Sequence, residues 1–317
     1  MFHLRDDEIA ELLDLASVTE AVEGAFAAWG RGDADTTQRV RSSAGGGVAS
    51  AMAAVVPPFS GGKVYSTASG AFTFVNILFD IEGRLLCTLD GDALTRYRTP
   101  AACAVAIRAL AAPACTTAAL IGAGRQGWYH LEMLASELPA LSGVAIHDLR
   151  PEAAEAMVER ARAAGISATV ASSPTDAVRD ADVIVTVTQS TAPLFAADAV
   201  SDRALICAVG ATKYDRCEIG ADVIERCASV VCDDVTGSRV ECGDLIQAAH
   251  AGRFDWSRAI ELSAVAAGIV DVPRAGTTPV LFETQGVALQ DVAAAALAYQ
   301  RSRRKTPKAS DNNGDGT

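Results

Sequence analysis

The clearest pattern along the chain is an alternation of short apolar runs with helix-forming segments, from Thr117 to about Pro273. Apolar runs of this length indicate buried strands, and the amphipathic stretches between them indicate helices. Repeated strand–helix units predict a parallel sheet with helices on both faces. The predicted strands are residues 118–121, 144–147, 168–171, 183–187, 205–209 and 230–232. The predicted helices are residues 128–138, residues 152–164 and one that begins at Pro174.

The first 115 residues follow a different pattern, in which helical periodicity gives way to strand-like segments. Helices are predicted over residues 6–15, 18–31 and 92–110. Thr19 is a suitable N-cap for the second helix and Gly32 a suitable end. Turns at residues 60–62 and 81–84 separate the later strands of this part. The predicted strands are residues 38–43, 49–56, 63–66, 72–80 and 85–90. We therefore expect an α+β unit here.

The chain length of 317 residues favours two domains, because single cores rarely grow so large. We predict that residues 1–115 and 276–317 form the α+β domain and that residues 116–275 form the α/β domain. The Ala-rich segment 286–301 is predicted to be a helix that packs on the first domain, since a lone apolar helix is unstable in water. Residues 302–317 are polar and are expected to be disordered.

A glycine motif, Gly122-x-Gly124-x-x-Gly127, follows the first strand of the α/β segment directly. In such a motif the glycines allow a tight turn, close approach of a diphosphate and close helix–strand packing. Asp148 ends the next strand, where a carboxylate can accept a hydrogen bond from a ribose hydroxyl. A purely structural turn is the alternative. The pattern predicts a Rossmann-type, doubly wound sheet in which Asp148 favours NAD(H), while Arg150 leaves NADP(H) open.

Composition and charge narrow the classes of partner. The formal net charge of −12 argues against nucleic acid and against anionic membrane surfaces. Apolar runs stay shorter than the roughly 18 residues of a bilayer span, and the acidic N-terminus differs from a signal peptide. We expect a cytoplasmic protein. The eight cysteines form no CxxC pair and are expected to be buried, reduced thiols, so no metal site is predicted.

Six segments, in order and spacing, make the chain similar to the ornithine cyclodeaminase/mu-crystallin family over residues 12–299. They are residues 89–99, 122–127, 186–188, 208–211, 241–245 and 282–291. The resemblance implies an NAD(P)H-dependent oxidoreductase that transfers a hydride at the Cα of a small imino or amino acid, as a ketimine reductase or amino-acid dehydrogenase does. It also implies a homodimer formed through the first domain.

The resemblance further implies a cationic site for the substrate carboxylate. Lys63 and Arg98 match the family's carboxylate-binding residues, and a third arginine is Arg41, with Arg39 as the alternative. A guanidinium and an ammonium together can hold a planar carboxylate through charge-assisted hydrogen bonds. Thr212 and Asp291 are the other predicted substrate-binding residues. The predicted cofactor-binding residues are Gly122, Gly124, Arg125, Gln126, Gly127, Asp148, Arg150, Thr188, Val209 and Gly210.

Two departures from the cyclodeaminase pattern bear on the reaction. Thr212 stands where cyclodeaminases carry an aspartate that handles the substrate amine, which makes ornithine cyclisation doubtful. Residues 72–74, Phe-Thr-Phe, stand where many relatives carry His or Gln, so we expect an apolar pocket. A cyclodeaminase that uses bound NAD catalytically and a non-enzymatic, mu-crystallin-like binding protein remain the alternatives.

Three further acids allow structural interpretations. Asp291 could touch the cofactor or substrate, or it could orient a loop through hydrogen bonds. Asp244 is expected to cap a helix over residues 245–251. Glu241 is expected to be solvated.

Overall fold

The computed structural model describes residues 2–68 and 71–305. Its first sheet has seven strands. Its strands are β1 (His3–Leu4), β2 (Asp35–Thr36), β3 (Val40–Ala44), β4 (Gly47–Val56), β5 (Phe59–Ala68), β6 (Ala71–Asp80) and β7 (Leu85–Asp90). Their order is β1-β7-β6-β5-β4-β2, and β3 pairs with the first half of β4. Three helices accompany this sheet: α1 (Asp6–Leu12), α2 (Leu15–Gly30) and α3 (Asp92–Leu110).

Two local predictions in this part are wrong. Helix α2 begins before Thr19, because the Asp14 carboxylate accepts a hydrogen bond from the Ser17 backbone N–H and caps the helix there. Thr19 is instead a buried residue inside the helix. The turn expected at residues 60–62 lies within β5, and the chain reverses at Pro57-Pro58. Prolines cannot donate to a strand ladder, so pairing stops at them.

A second sheet contains eight parallel strands. They are β8 (Thr117–Ile121), β9 (Gly143–His147), β10 (Ala168–Val170), β11 (Val183–Thr186), β12 (Leu205–Ala208), β13 (Ser229–Cys232), β14 (Ala259–Glu261) and β15 (Val280–Glu283). The order is β10-β9-β8-β11-β12-β15-β13-β14, so the chain winds outward from β8 in both directions. This is the predicted doubly wound arrangement, and its switch point lies beside β8, where such folds have their ligand crevice.

Six helices accompany this second sheet within the described residues: α4 (Arg125–Glu137), α5 (Pro151–Ala163), α6 (Pro174–Val178), α7 (Ala221–Arg226), α8 (Val235–Glu241) and α9 (Gly243–His250). A further helix, α10 (Leu262–Ala266), follows β14 and packs chiefly on α2. Two of the strands are absent from the sequence prediction, namely β14 and β15. Strand β15 lies past the predicted boundary at residue 275, yet it pairs with β12 and β13. The division into domains stays a prediction.

The last helix, α11 (Ala288–Lys305), returns to the first sheet and packs on β4, β5, α2 and α3. It continues through residues 302–305, so the prediction of a disordered tail is wrong there; residues 306–317 lie outside the described residues. The helix ends with three cations, which suit the negative end of its dipole. Among the helices of the described chain, none has the length and apolar character needed to cross a bilayer.

Candidate active site

A cavity of about 1030 Å³ runs along the carboxyl ends of the second sheet. Side chains of the first sheet and of α3 close its other side, including Phe72, Thr95 and Arg98. Most of the predicted site residues line it: Arg98, Gly122, Gly124, Arg125, Gln126, Gly127, Asp148, Arg150, Thr188, Val209, Gly210 and Thr212. Three others, Lys63, Arg41 and Asp291, are absent from the lining.

The glycine loop between β8 and α4 has the shape of a cradle. Gly122 has a φ of +111°, and a Cβ there would lie 2.6 Å from the Val187 carbonyl oxygen. A Cβ on Gly127 would lie 2.1 Å from the Gly122 oxygen, so loop and helix touch. At Gly124 a Cβ would meet nothing within 4 Å, because this residue borders the open cavity at the N-terminus of α4. The loop therefore fits a diphosphate.

Asp148 joins the end of β9 to this glycine loop. Its carboxylate accepts hydrogen bonds from the backbone N–H of Ala123 at 2.7 Å and of Arg150 at 2.9 Å. These bonds hold the carboxylate at the cavity wall, beside the strand that neighbours β8. The position is the one where a ribose hydroxyl meets an acidic residue in dinucleotide sites.

Lys63 and Arg98 converge on one buried carboxylate, that of Asp291. Lys63 Nζ and Arg98 Nε each lie 3.2 Å from Asp291 Oδ1. Lys63 also donates a 2.8 Å hydrogen bond to the hydroxyl of Thr95, which lines the cavity. Lys63 and Asp291 are each 1% exposed. The two cations from β5 and α3 thus form one cluster, with Arg98 at the cavity wall and Lys63 behind it.

Burial and charge act together on this cluster. Burial lowers the pKa of Lys63 to about 8, although Asp291 opposes that shift. For Asp291, burial acts to raise the pKa, but the charges of Arg98 and Lys63 outweigh it and hold the pKa below its ordinary value. The carboxylate is therefore ionised at neutral pH. Two cations surround one anion, which leaves a net positive charge beside the cavity.

The loop after β15 and the first turn of α11 both contact the Arg98 side chain. Arg98 Nη1 donates a 3.0 Å hydrogen bond to Gln290 Oε1. Gly286 has a φ of +80°, and a Cβ there would lie 2.7 Å from Arg98 Nη1, so the close approach requires glycine. The buried carboxylate of Asp233 holds the same loop through the Gly286 N–H at 2.7 Å and the Thr284 hydroxyl at 2.6 Å.

The two candidate arginines before β4 both pair with Glu241. Arg39 donates to Glu241 Oε2 at 2.5 Å and to the carbonyls of Gln285 and Gly286 at 2.9 and 2.8 Å. Arg41 pairs with the other oxygen of Glu241 and is a third exposed. Glu241 is buried, so the expectation of a solvated side chain is wrong: two guanidinium groups compensate its charge. Of the two arginines, Arg39 is the one that hydrogen-bonds to the loop after β15, beside Arg98.

Asp244 does not cap a helix as expected. Helix α9 begins at Gly243, so Asp244 lies in its first turn, and its carboxylate accepts the Glu218 backbone N–H at 2.7 Å. Burial raises the pKa of Asp244 to about 7, and the nearby charge of Glu218 adds to that shift. The expected cap is wrong because the side chain turns toward the segment around Glu218 instead.

Aromatic side chains form a wall beside the cation cluster. The rings of Phe72 and Phe74 stack with centroids 5.7 Å apart and an angle of 6° between their planes. Tyr65 packs against Phe74 at 5.4 Å, and Lys63 Nζ lies 4.4 Å from the Phe74 ring centroid. Phe72 lines the cavity itself. Of the three aromatic residues only Phe72 lines the cavity, so the apolar pocket expected from the Phe-Thr-Phe segment stays a prediction.

Sequence reasoning missed several residues that build this site. Thr95, Gln290 and Asp233 contact its cations or hold its loops. Gln290 directly precedes Asp291 in a segment already singled out, and Asp233 directly follows a predicted strand, so both had a detectable signal. Thr95 also lies in a segment already singled out, residues 89–99, whereas Glu218 had no signal, because its role depends on contacts between distant segments.

The chain matches the model of the ornithine cyclodeaminase/mu-crystallin family over residues 2–306. Delta(1)-pyrroline-2-carboxylate reductase 2 of Burkholderia ambifaria is 33% identical to it over 301 residues, which cover 92% of this chain and 93% of that protein. Among solved structures, a probable ornithine cyclodeaminase from Bordetella pertussis Tohama I is 36% identical, with a TM-score of 0.90 and coverage of 96% and 98%. An archaeal alanine dehydrogenase dimer with bound NAD is 27% identical, with a TM-score of 0.90 and coverage of 96% and 97%. The chain therefore belongs to the ornithine cyclodeaminase/mu-crystallin family.

Proposed function

We propose that the protein is an NAD(H)-dependent reductase of a small cyclic 2-imino acid. In the reaction NADH gives a hydride to Cα of the C=N bond and the nitrogen carries a proton, so that NAD⁺ and a cyclic amino acid result. The observation that carries the proposal is the convergence of Lys63 and Arg98 beside the cavity that the glycine loop borders.

The order of the strands supports one orientation of the cofactor. Asp148 ends β9, the glycine loop follows β8, and Thr188 and Gly210 follow β11 and β12. These positions fit the adenosine ribose, the diphosphate and the nicotinamide in that sequence along the sheet edge. The nicotinamide end then lies next to Arg98. The carboxylate of Asp148 favours NAD(H) over NADP(H), because it accepts a hydrogen bond from a ribose hydroxyl and repels a phosphate.

Arg98 is proposed to bind the substrate carboxylate, with Lys63 and Arg39 supplying positive charge from behind. Arg98 is held by Asp291 and Gln290, so its guanidinium is fixed before the substrate arrives. A fixed carboxylate fixes Cα as well, at the about 3–3.5 Å from the hydride donor that the reaction requires. Arg39 is preferred to Arg41 as the third arginine, because it bonds the loop around Arg98.

The aromatic wall supports a substrate with an apolar or ring side chain. Phe72 lines the cavity and stacks on Phe74, which lies against Lys63, so Phe72 presents hydrocarbon surface that suits a five- or six-membered imine ring. The terminal ammonium of ornithine or lysine would lose its hydration there without a carboxylate partner. Of the described residues that line the cavity, Asp148 is the only carboxylate, and it lies at the opposite end. This arrangement favours a reductase over a cyclodeaminase.

The test is spectrophotometric. NADH absorbance is followed with pyrroline-2-carboxylate, with piperideine-2-carboxylate, and with pyruvate plus ammonia or methylamine. We expect fastest oxidation with a cyclic imino acid. Proline released from ornithine without net consumption of NADH would identify a cyclodeaminase instead. A protein that binds NADH but turns over none of these compounds would be a binding protein.

A homodimer formed through the first sheet is also proposed. Val40, Ala51, Val64 and Val75 lie directly opposite one another across β3 to β6. Of these, Val40, Val64 and Val75 are exposed, at 64%, 50% and 39%. Such a row of apolar residues is unusual on a monomer surface and suits a self-complementary interface.

We propose the cytoplasm as the protein's location. All eight cysteines are buried free thiols, as expected in a reducing compartment.

A further inference from the structure

Glu218 is a buried carboxylate that the proposed reaction does not use, yet it contacts the cavity wall from behind. It is 0% exposed and lies between β12 and α7, outside the cavity lining. Its Oε1 accepts from the Thr188 N–H at 2.5 Å and from the Thr188 hydroxyl at 2.6 Å. Its Oε2 accepts from the Gly210 N–H at 2.7 Å and from the Thr186 hydroxyl at 2.9 Å. One carboxylate therefore joins the loop after β11 to the loop after β12.

These two loops also touch each other and the glycine loop. A Cβ on Gly210 would lie 2.0 Å from the Thr188 oxygen and 2.6 Å from Glu218 Oε1. Val187, next to Thr188, is the residue that Gly122 approaches most closely. The carboxylate of Glu218, however, takes its four hydrogen bonds from Thr186, Thr188 and Gly210 and none from the glycine motif.

Glu218 is itself held in place. Its backbone N–H donates to Asp244, and the carboxylate receives all four of its hydrogen bonds from groups on the two loops and on β11. Each oxygen accepts one backbone N–H and one hydroxyl. A hydroxyl can rotate to accept a bond instead, but a backbone N–H can only donate.

We infer that Glu218 is a positioning residue that sets the two loops bordering the nicotinamide end of the cofactor. The inference rests on the proposed function, since it assigns that end to Thr188 and Gly210. It predicts that a change at Glu218 acts on the nicotinamide half of the cofactor and leaves the adenosine half alone. The adenosine half contacts Asp148 and the glycine loop, which keep their own hydrogen bonds.

The test compares NADH with ADP-ribose, which lacks the nicotinamide, in Glu218→Gln. An amide in either orientation turns its NH₂ group toward a backbone N–H, that of Thr188 or of Gly210. The unsatisfied donor should raise the Kd for NADH about tenfold, with the Kd for ADP-ribose within about twofold of wild type. Thr186→Val, which removes a hydroxyl bonded to Glu218 Oε2 at a buried position outside the cavity lining, should give the same selective loss in smaller measure and decides the matter if Glu218→Gln does not fold.

Glu137→Gln is the matched control, because Glu137 is also a largely buried, hydrogen-bonded carboxylate, but its partner is Arg108 and not either loop. It should bind both nucleotides as the wild type does. Equal weakening of NADH and ADP-ribose in Glu218→Gln, or unchanged binding of both, would overturn the inference. A wild type that binds neither nucleotide would instead contradict the proposed function, and the inference with it.

Discussion

At the scale of single residues, the site depends on two cations that share one buried carboxylate. Asp291 compensates Lys63 and Arg98 only in part, so positive charge remains available to an incoming anion. Such a cluster is costly to bury: the Asp291 carboxylate favours the charged form of Lys63, whereas the nearby charge of Arg98 opposes it. The resemblance pointed to both cations, but their shared partner depends on α11 returning to the first sheet. The spacing of residues in the sequence does not predict that Asp291 contacts Lys63 and Arg98.

Arg98→Met should remove the group that we propose binds the substrate carboxylate. We expect kcat/KM for the imino acid to fall by a factor of about 100–1000, which corresponds to about 3–4 kcal/mol. The Kd for NADH should change by less than about threefold, because the glycine loop is untouched. Fluorescence titration and initial rates measure both quantities. Arg162→Met, on the exposed face of α5, is the control and should leave both unchanged.

Lys63 makes the site sensitive to pH. Its pKa of about 8 means that the ammonium loses its proton as the pH rises through that value, which removes one cation beside the substrate carboxylate. Binding of furan-2-carboxylate, a ring carboxylate that does not itself titrate in this range, should therefore weaken above about pH 8. Lys63→Met should bind it weakly at every pH. The same pH break in Lys63→Met would assign the effect to another group.

At the scale of elements, apolar runs predict most strands of the parallel sheet and most helices between them. Helix α3 begins and ends at the predicted residues, and the predicted strands from residue 118 to 232 shift by one residue at their ends. Strand β15 was missed because it is a short run beyond Pro273, where the alternation had stopped. The loop beside Arg98 follows β15 directly, so its position could not be predicted without that strand. The pairing of Glu241 with Arg39 and Arg41 was also missed, because it joins segments about 200 residues apart in the chain.

Glu241→Gln should weaken the link between the segment before β4 and helix α8. Removing the negative charge leaves two guanidinium groups without their shared anion, one of them buried. We expect a loss of about 2–4 kcal/mol in the free energy of unfolding, measured by urea denaturation. Glu225→Gln is the matched control, because its pair with Arg253 is exposed and should be worth less than about 1 kcal/mol. Equal losses of unfolding free energy in the two variants would contradict the view that Glu241 is a buried partner of both arginines.

At the scale of the whole molecule, two sheets meet at one cavity, and the outer face of the first sheet is apolar. The sequence pattern predicted a doubly wound parallel sheet. It did not predict the order of the strands within that sheet. The convergence of the first sheet, α3 and α11 on the crevice depends on packing between segments about 200 residues apart. That packing decides which side chains reach the cofactor.

The apolar row on the first sheet predicts the oligomeric state. We expect the wild type to be a dimer by light scattering coupled to size exclusion. Val64→Glu should shift it toward the monomer, because the charge would be buried at the interface without a partner. Val170→Glu, an exposed valine at the edge of the second sheet, should remain a dimer. A monomeric wild type, or dissociation by Val170→Glu alone, would contradict this interface.

The most direct test of the central claim follows the hydrogen itself. The enzyme is given NADH that carries deuterium at the transferred position, together with pyrroline-2-carboxylate, and the product is analysed by mass spectrometry and NMR. Our account predicts one deuterium per molecule of proline, at Cα, with one NADH consumed. Proline without deuterium at Cα, or no proline at all from a protein that binds NADH, would contradict hydride transfer at this site.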